Sequence, residues 1–384
     1  MGGVSAVPSV MRAAVLRAPA ELVVEERPVP RPAPGEVLVA VTAVGVCGSD
    51  THYYRHGRIG EHVLRSPMVI GHEAGGRVVA VGEAVDPGRV GQRVSIEPGV
   101  PCFVCRWCVS GRYNLCPEMS FHATPPVDGS MQEYVAVHAA MAHPVPDTVS
   151  DVAAAMLEPL SVAIWAVRCG EVSLGDRVLV TGAGPVGLLA AQVARAAGGA
   201  VTVREPDPRR RSVAEGLGLT VQGADRSGAD PTAGADRSGA DPTAGADRSG
   251  ADPTAGADAS GADPTAAGGT PFAVLLECSG HLDAVADGLA ALQPAGRAVL
   301  VGMGADEVRV PSSVLQDREV SITGTFRYAG TWPTAIELAA SGQVVLDGLP
   351  VRLFDLADAA DAVVAGQEDP GLVKAIVCPG GRPA

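Results

Sequence analysis

Short apolar runs punctuated by glycine alternate with stretches of helical period along the middle of this 384-residue chain. Val178–Val180 reads as a buried strand, and the Leu/Ala pattern that follows Gly187 as a helix behind it. "AVTV" at 200–203 is a second strand. Further on, "PFAVLLECSG" predicts a strand, "HLDAVADGLAALQPAG" a helix and "RAVLVGMG" another strand. Strands and helices in alternation predict a parallel sheet. A helix over "TWPTAIELAASG" and a strand in "LVKAIVCPG" close the chain. The first strand is expected at "MRAAVL", from Met11, and residues 1–10 read as a disordered leader or a misassigned start. The most apolar long segment, Val178 to Val203, is crowded with glycine and carries Gln192 and Arg195, so it reads as strand plus helix and not as a membrane span.

One stretch breaks the alternation. "GADRSGADPTA" occurs four times from Gly223 to Ala266, with Ala259 in place of Arg in the last copy. Eleven residues would suit a right-handed coiled coil. Two glycines and a proline in every copy forbid a continuous helix, so the reading is a disordered or loosely turned insert. A calcium-binding solenoid is disfavoured because no apolar position repeats to be buried between coils.

Composition narrows the function classes. The length gives room for two domains, each with its own core. Pro8, Arg12 and Arg17 interrupt the place where a signal peptide needs an apolar run, and Cys47, Cys169, Cys278 and Cys378 are scattered, so a cytoplasmic protein with reduced thiols is expected. The net charge of −14 disfavours nucleic acid, whose binding needs a basic face. The repeat, with eight Asp and three Arg, supplies −5 of it.

Four more cysteines stand in "PCFVCRWCVSGRYNLC" as Cys102, Cys105, Cys108 and Cys116. Two-residue gaps let successive thiolates converge on one tetrahedral centre, which suits a structural zinc, with an iron–sulfur cluster as competitor. "GVCGSDTHYY" and "GHEAGG" supply Cys47, His72 and Glu73, a mixed sulfur, nitrogen and oxygen set that suits a zinc with one open position. Glu158 in "LEPLSV" is either a further carboxylate of that site or a surface acid at a helix end. "GAGPVG" places Gly182, Gly184, Pro185, Val186 and Gly187 between strand and helix, where backbone N–H groups receive a pyrophosphate. Glu205 follows at the spacing of an acid that binds ribose hydroxyls, favouring NAD over NADP, while Arg204, Arg209, Arg210 and Arg211 leave a 2′-phosphate open.

These motifs, with "GRIG", "PMVIGHEAGG", "GRYNLCP", "FHATPPVDG", "ECSG" and "GTFRYAGTWP", resemble the zinc-containing medium-chain dehydrogenases, and within them the sorbitol (polyol, L-iditol 2-) dehydrogenase group. The resemblance implies an α/β protein. A GroES-like β-rich catalytic domain would span residues 1–160 and 325–384, and a Rossmann doubly wound coenzyme domain residues 161–324. It further implies that Cys47, His72 and Glu73 hold a catalytic zinc with Glu158 alongside, that Ser49 and His52 relay a proton, and that Asp50 either orients His72 or caps a turn. Tyr53, Phe121, Arg327 and Tyr328 match the polyol pocket. Arg210, Val301-Gly302-Met303 and Thr325-Phe326-Arg327 match cofactor contacts beside the Gly-rich turn and Glu205. No lysine is expected to take part, because the chain's single lysine, Lys374, lies near its end.

The implied reaction is zinc-dependent oxidation of a polyol's secondary hydroxyl to a ketose with NAD, by a homotetramer or homodimer with two zincs per chain. A threonine-type or other secondary-alcohol dehydrogenase is the runner-up, and a catalytically silent NAD-binding protein the reading from another class. Animal sorbitol dehydrogenases lack the tetracysteine site, which points toward bacterial branches. No strand-and-helix pattern separates "TVQ" from "PFAVLLECSG" outside the repeat, so one surface helix of the family is expected to be missing.

Overall fold

The computed structural model describes residues 7–223, 270–304 and 307–382. The expectations for the repeat, for the missing helix and for the chain's first residues fall mostly outside these.

Six parallel strands form the coenzyme half: β1 (Arg177–Thr181), β2 (Ala200–Arg204), β3 (Thr220–Gln222), β4 (Phe272–Glu277), β5 (Leu292–Leu300) and β6 (Ser321–Gly324). Their order is 3-2-1-4-5-6, so the chain reverses its direction of travel between β1 and β4. A crevice opens at the carboxyl ends of the strands at such a switch point. Val178, Leu179 and Val180 are fully buried because helices cover both faces of the sheet. The helix expected through Gly296 stops at Ala290, and Leu292 already pairs with Phe272 in the sheet. Pro294 and Gly296 cannot extend a helix, and Leu292 is buried against Phe272 and Leu275 in the core.

Both chain ends build the other half. A seven-stranded sheet is centred on Glu36–Gly45, which pairs antiparallel with Glu73–Val81, Tyr134–His138 and Lys374–Cys378. The first strand, Val10–Ala18, belongs to a separate three-stranded sheet with Glu21–Pro28 and Met68–Val69.

The helix Asp151–Cys169 joins the halves, packing on Glu73–Val81 and on the helix Pro185–Ala196. Ser150 caps it by accepting the Ala153 N–H at 3.0 Å. Its alanines permit close approach: a Cβ at Gly75 would come within 2.9 Å of Ala154. It runs through Pro159, so a boundary at residue 160 falls inside it, and Glu158 lies in mid-helix and not at a helix end. Among the described residues it alone is long and apolar enough to cross a membrane, but most of it is buried in this interface.

Candidate active site

Cys47 caps the N-terminus of the helix Gly48–His56. Asp50 fixes that entry, one carboxylate oxygen accepting the Cys47 N–H at 2.9 Å and the other the Gly71 N–H at 2.9 Å. A single buried side chain thereby ties together the segments carrying Cys47 and His72. His72 Nδ1 stands 3.9 Å from Asp50, beyond hydrogen-bond range, so the bonds describe a turn cap. Gly71 has φ +86°, which a side chain would resist. Glu73 then opens its strand opposite Gly45, where any Cβ would overlap the Glu73 carboxylate.

Donor atoms of Cys47, His72 and Glu73 lie within 4.8 Å of one another. The set fits a cation on two counts. Glu73 Oε2 is buried without a hydrogen-bond partner. Burial would strip the proton from His72, yet the Cys47 sulfur, Asp50 and Glu158 outweigh it and push the imidazole up to about 10, so the pocket's field favours positive charge. Three mixed donors leave an opening, as at catalytic zinc.

Lys374 departs from expectation. Its strand pairs with Glu36–Gly45 and delivers the ammonium to 2.8 Å from Glu73 Oε1 and 3.1 Å from the Val46 carbonyl. Burial works to lower its pKa, but Glu73 and Cys47 outweigh that and the net shift is upward. The chain's single lysine is therefore part of the site.

Glu158 is buried and accepts the Tyr328 hydroxyl at 2.8 Å. Burial pushes its carboxyl up to about 7. The Tyr328 hydroxyl is thus committed to Glu158. Arg327 lies over the Phe121 ring at 3.9 Å and beside Phe326 at 4.7 Å, on a backbone with φ +52°. Phe121 also meets the His72 ring at 5.7 Å, which puts the arginine next to the donor set. Tyr53 is buried on the helix Gly48–His56, its hydroxyl pushed up to about 12 by burial.

Cys102, Cys105, Cys108 and Cys116 converge, with Cys105 Sγ 3.5 Å and Cys102 Sγ 3.9 Å from Cys108 Sγ. A tetrahedron of sulfurs at the ~2.3 Å Zn–S length has edges of roughly 3.8 Å, so the donors fit one zinc. All eight cysteines are free of disulfides. Residues between these cysteines reach the pocket. Tyr113 donates to Glu97 at 2.7 Å and accepts the Gly330 N–H at 2.8 Å, while Asn114 donates to the Phe326 carbonyl at 2.9 Å. Glu97 also binds His143 at 2.8 Å, which stacks on Trp332, and Trp332 meets Tyr328 edge-on. "GRYNLCP" held the signal for Tyr113 and Asn114, but nothing local marked Glu97 or His143.

On the coenzyme side, Gly182 has φ +86°, Gly184 caps the helix Pro185–Ala196 with Pro185 at its first position, Val186 follows half-buried, and a Cβ at Gly187 would overlap the Gly182 carbonyl. Glu205 is buried at the end of β2, accepting the Ala183 N–H at 2.7 Å and the Asp207 N–H at 2.8 Å. Of the arginines that left a 2′-phosphate open, Arg209 pairs with Asp207, Arg210 donates to the Pro370 carbonyl at 3.1 Å, and Arg211 donates to the Glu205 and Pro206 carbonyls. Thr325 donates to the Leu300 carbonyl at 3.1 Å, and Met303 and Phe326 are exposed. A cavity of about 270 Å³ has Cys47, His52 and Lys374 on one wall and Ala183, Gly184, Pro185 and Arg210 on the other. Ser49, half-buried, lies one turn before His52. Cys47 of the mixed donor set and the Gly-rich turn share this cavity.

Residues 33–147 match the alcohol dehydrogenase GroES-like domain, and residues 185–341 the zinc-binding dehydrogenase domain. The chain belongs to the zinc-binding alcohol dehydrogenase family. Mouse sorbitol dehydrogenase is 39% identical over 95% of each chain, and that of Bacillus subtilis 36% identical over 93% of this chain and 94% of its own. Identity thus does not separate animal from bacterial relatives. An alcohol dehydrogenase from Escherichia coli CFT073, solved with NADH, superimposes with a TM-score of 0.81 at 28% identity, covering 97% of this chain and 100% of its own. Members of this family use zinc and a nicotinamide cofactor, and both donor sets described above fit the metal.

Proposed function

We infer that the protein oxidises a secondary hydroxyl of a polyol of the sorbitol, L-iditol or xylitol type to the ketose, with NAD as hydride acceptor. The cavity carries this reading, since Cys47, whose sulfur lies within 4.8 Å of the His72 and Glu73 donor atoms, lines it together with Ala183, Gly184 and Pro185 of the Gly-rich turn. The sorbitol dehydrogenases among the relatives support the substrate class.

Cys47, His72 and Glu73 would hold the catalytic zinc and the four clustered cysteines the structural one. Zinc, when bound there, acidifies an alcohol hydroxyl placed against it. The chain's own residues do the rest. Arg327, Tyr53 and Glu158 offer donors and an acceptor to neighbouring hydroxyls, and polar groups left unpaired reject analogues lacking them. Tyr328 keeps Glu158 in place through their 2.8 Å bond. Ser49 and His52 carry the released proton outward along the exposed side of their helix. Lys374 offsets the charge of Glu73. The buried Glu205 takes the adenosine ribose hydroxyls and disfavours a 2′-phosphate.

A panel of polyols with NAD and NADP tests this. Reduction of NAD by C5–C6 polyols is expected; turnover restricted to threonine or simple secondary alcohols would overturn the substrate class, and none at all the enzymatic reading. We also read the enzyme as a cytoplasmic homotetramer or homodimer. Eight unpaired cysteines support a reducing compartment, and light scattering of the purified protein gives the oligomer size.

A further inference from the structure

The crevice of the coenzyme half opens between β1 and β4, and its floor holds a carboxylate that the reading above does not use. Glu277, the last residue of β4, is 1% exposed and is the register partner of Thr181 at the end of β1. It accepts the Thr181 hydroxyl at 3.2 Å, the Ser279 N–H at 2.8 Å, the Ser279 hydroxyl, and the Gly280 N–H at 3.1 Å. Its backbone carbonyl takes the Val301 and Gly302 N–H groups at 2.8 and 2.9 Å. No cation pairs with it among the described residues.

A buried carboxylate without a counter-charge is costly, and an apolar residue would close a strand end more cheaply. What the donors gain is a fixed shape for the turn 278–280. That turn is wedged between two others. On one side, the space a Cβ would take at Gly182 ends 3.1 Å from Ser279 Cβ, and at Gly187 3.4 Å from Cys278 Cβ. On the other, Cβ atoms at Gly302 or Gly304 would overlap the Gly280 backbone. The flanking turns, 182–187 and 301–303, are the two against which the cofactor is expected to lie.

We propose that Glu277 is a positioning residue for the nicotinamide cofactor, holding the turn 278–280 as the spacer that sets the separation of the Gly-rich turn from the β5 turn. This rests on the proposed use of NAD but not on the polyol. Direct titration of the intact, zinc-loaded enzyme with NADH, followed by nucleotide fluorescence, tests it in Glu277→Gln and Glu277→Ala. Gln keeps the shape and one acceptor oxygen; Ala removes every acceptor. The NADH Kd is expected to rise about threefold in Gln and at least tenfold in Ala, with KM for NAD rising in parallel. Zinc content and KM for the polyol at saturating NAD stay within about twofold. An unchanged NADH Kd in Glu277→Gln together with a folded Ala variant that binds normally would overturn the proposal. So would equal losses in zinc content, polyol KM and NADH affinity, the pattern of a general packing defect. Should Ala not fold, the Gln variant decides alone. If the parent binds NADH but oxidises no polyol, the substrate reading falls and this one stands.

Discussion

Replacing Lys374 by methionine tests how the Glu73 carboxylate is held. The ammonium is 4% exposed and Glu73 1%, at 2.8 Å, so the pair is shielded from solvent and screened little by salt. Removing one partner of a buried pair costs about 3–5 kcal/mol, because the other charge stays buried and uncompensated. Glu73 Oε2 already lacks a partner, so the variant leaves both oxygens bare in the metal-free protein. At ~2–4 °C per kcal/mol for an unfolding unit of roughly 150–250 residues, the size of the half that carries the pair, the melting temperature of that half in chelated enzyme should fall by roughly 6–20 °C. Adding Glu73→Gln removes the stranded charge and should recover at least about 2 kcal/mol. Thermal and urea unfolding of the chelated single and double variants, completed as a double-mutant cycle with Glu73→Gln alone, reads both numbers. A single variant melting within about 2 °C of the parent, or strictly additive losses, would refute the reasoning. The folded pKa of Lys374 is raised, so its contribution is complete below its ordinary value and fades only as pH rises beyond it. The effect should therefore be flat between pH 6 and 9.

Tyr328→Phe deletes the hydrogen bond that lowers the Glu158 pKa, and a bond to a charged group is worth ~1.5–3 kcal/mol, so the acid limb of the polyol kcat/KM profile should move up by about one to two pH units. Because the folded pKa of Glu158 is raised to about 7, its stabilising contribution is present below the ordinary carboxylate range and lost as pH rises through 7; chelated Glu158→Gln should gain on the parent above that pH in urea melts. Cys105→Ser should remove the metal of the tetracysteine lobe, measurable by elemental analysis, and raise the polyol KM severalfold, since Tyr113 and Asn114 hold the 326–330 loop from that lobe. Excising two copies of the 11-residue repeat should leave NADH affinity within about twofold. Excising all of 223–266 should not. From Gln222 to Phe272 the chain must cross three strand spacings and return five residue rises, roughly 22 Å in a straight line, and the six Cα–Cα steps left reach only about 20–22 Å, too little to go round the face of the sheet.

What could be read from the chain in advance was local. Gly182 to Gly187 and the four clustered cysteines carry their meaning in spacings of a few residues, because one turn brings those atoms together. The Cys47/His72/Glu73 set was reachable through motif resemblance, and β1 and β2 through apolar runs flanked by glycine, after β1 at Gly182 and before β2 at Gly198 and Gly199. Lys374 was missed because its partner is 301 residues away, and only the pairing of the last strand with Glu36–Gly45 brings them together. Glu158 was reachable as a site carboxylate, with a surface acid as the other reading; its depth comes from alanines that seat its helix between the two halves. Glu277 sat inside a quoted motif, yet its role depends on turns from three strands meeting at one point, which no spacing encodes.

The strand that brings Lys374 into the site is made only after β1 to β6 and after Glu36–Gly45, with which it pairs. A nascent chain can lay down β1 to β6 and fold the coenzyme half while Val44 and Gly45, at the end of Glu36–Gly45, still lack their partners Val377 and Ile376. Glu73 then has no ammonium beside it, and the metal pocket has no closing wall. On this account the charge balance of the Cys47, His72 and Glu73 cluster is completed only after the whole of the coenzyme half has been made.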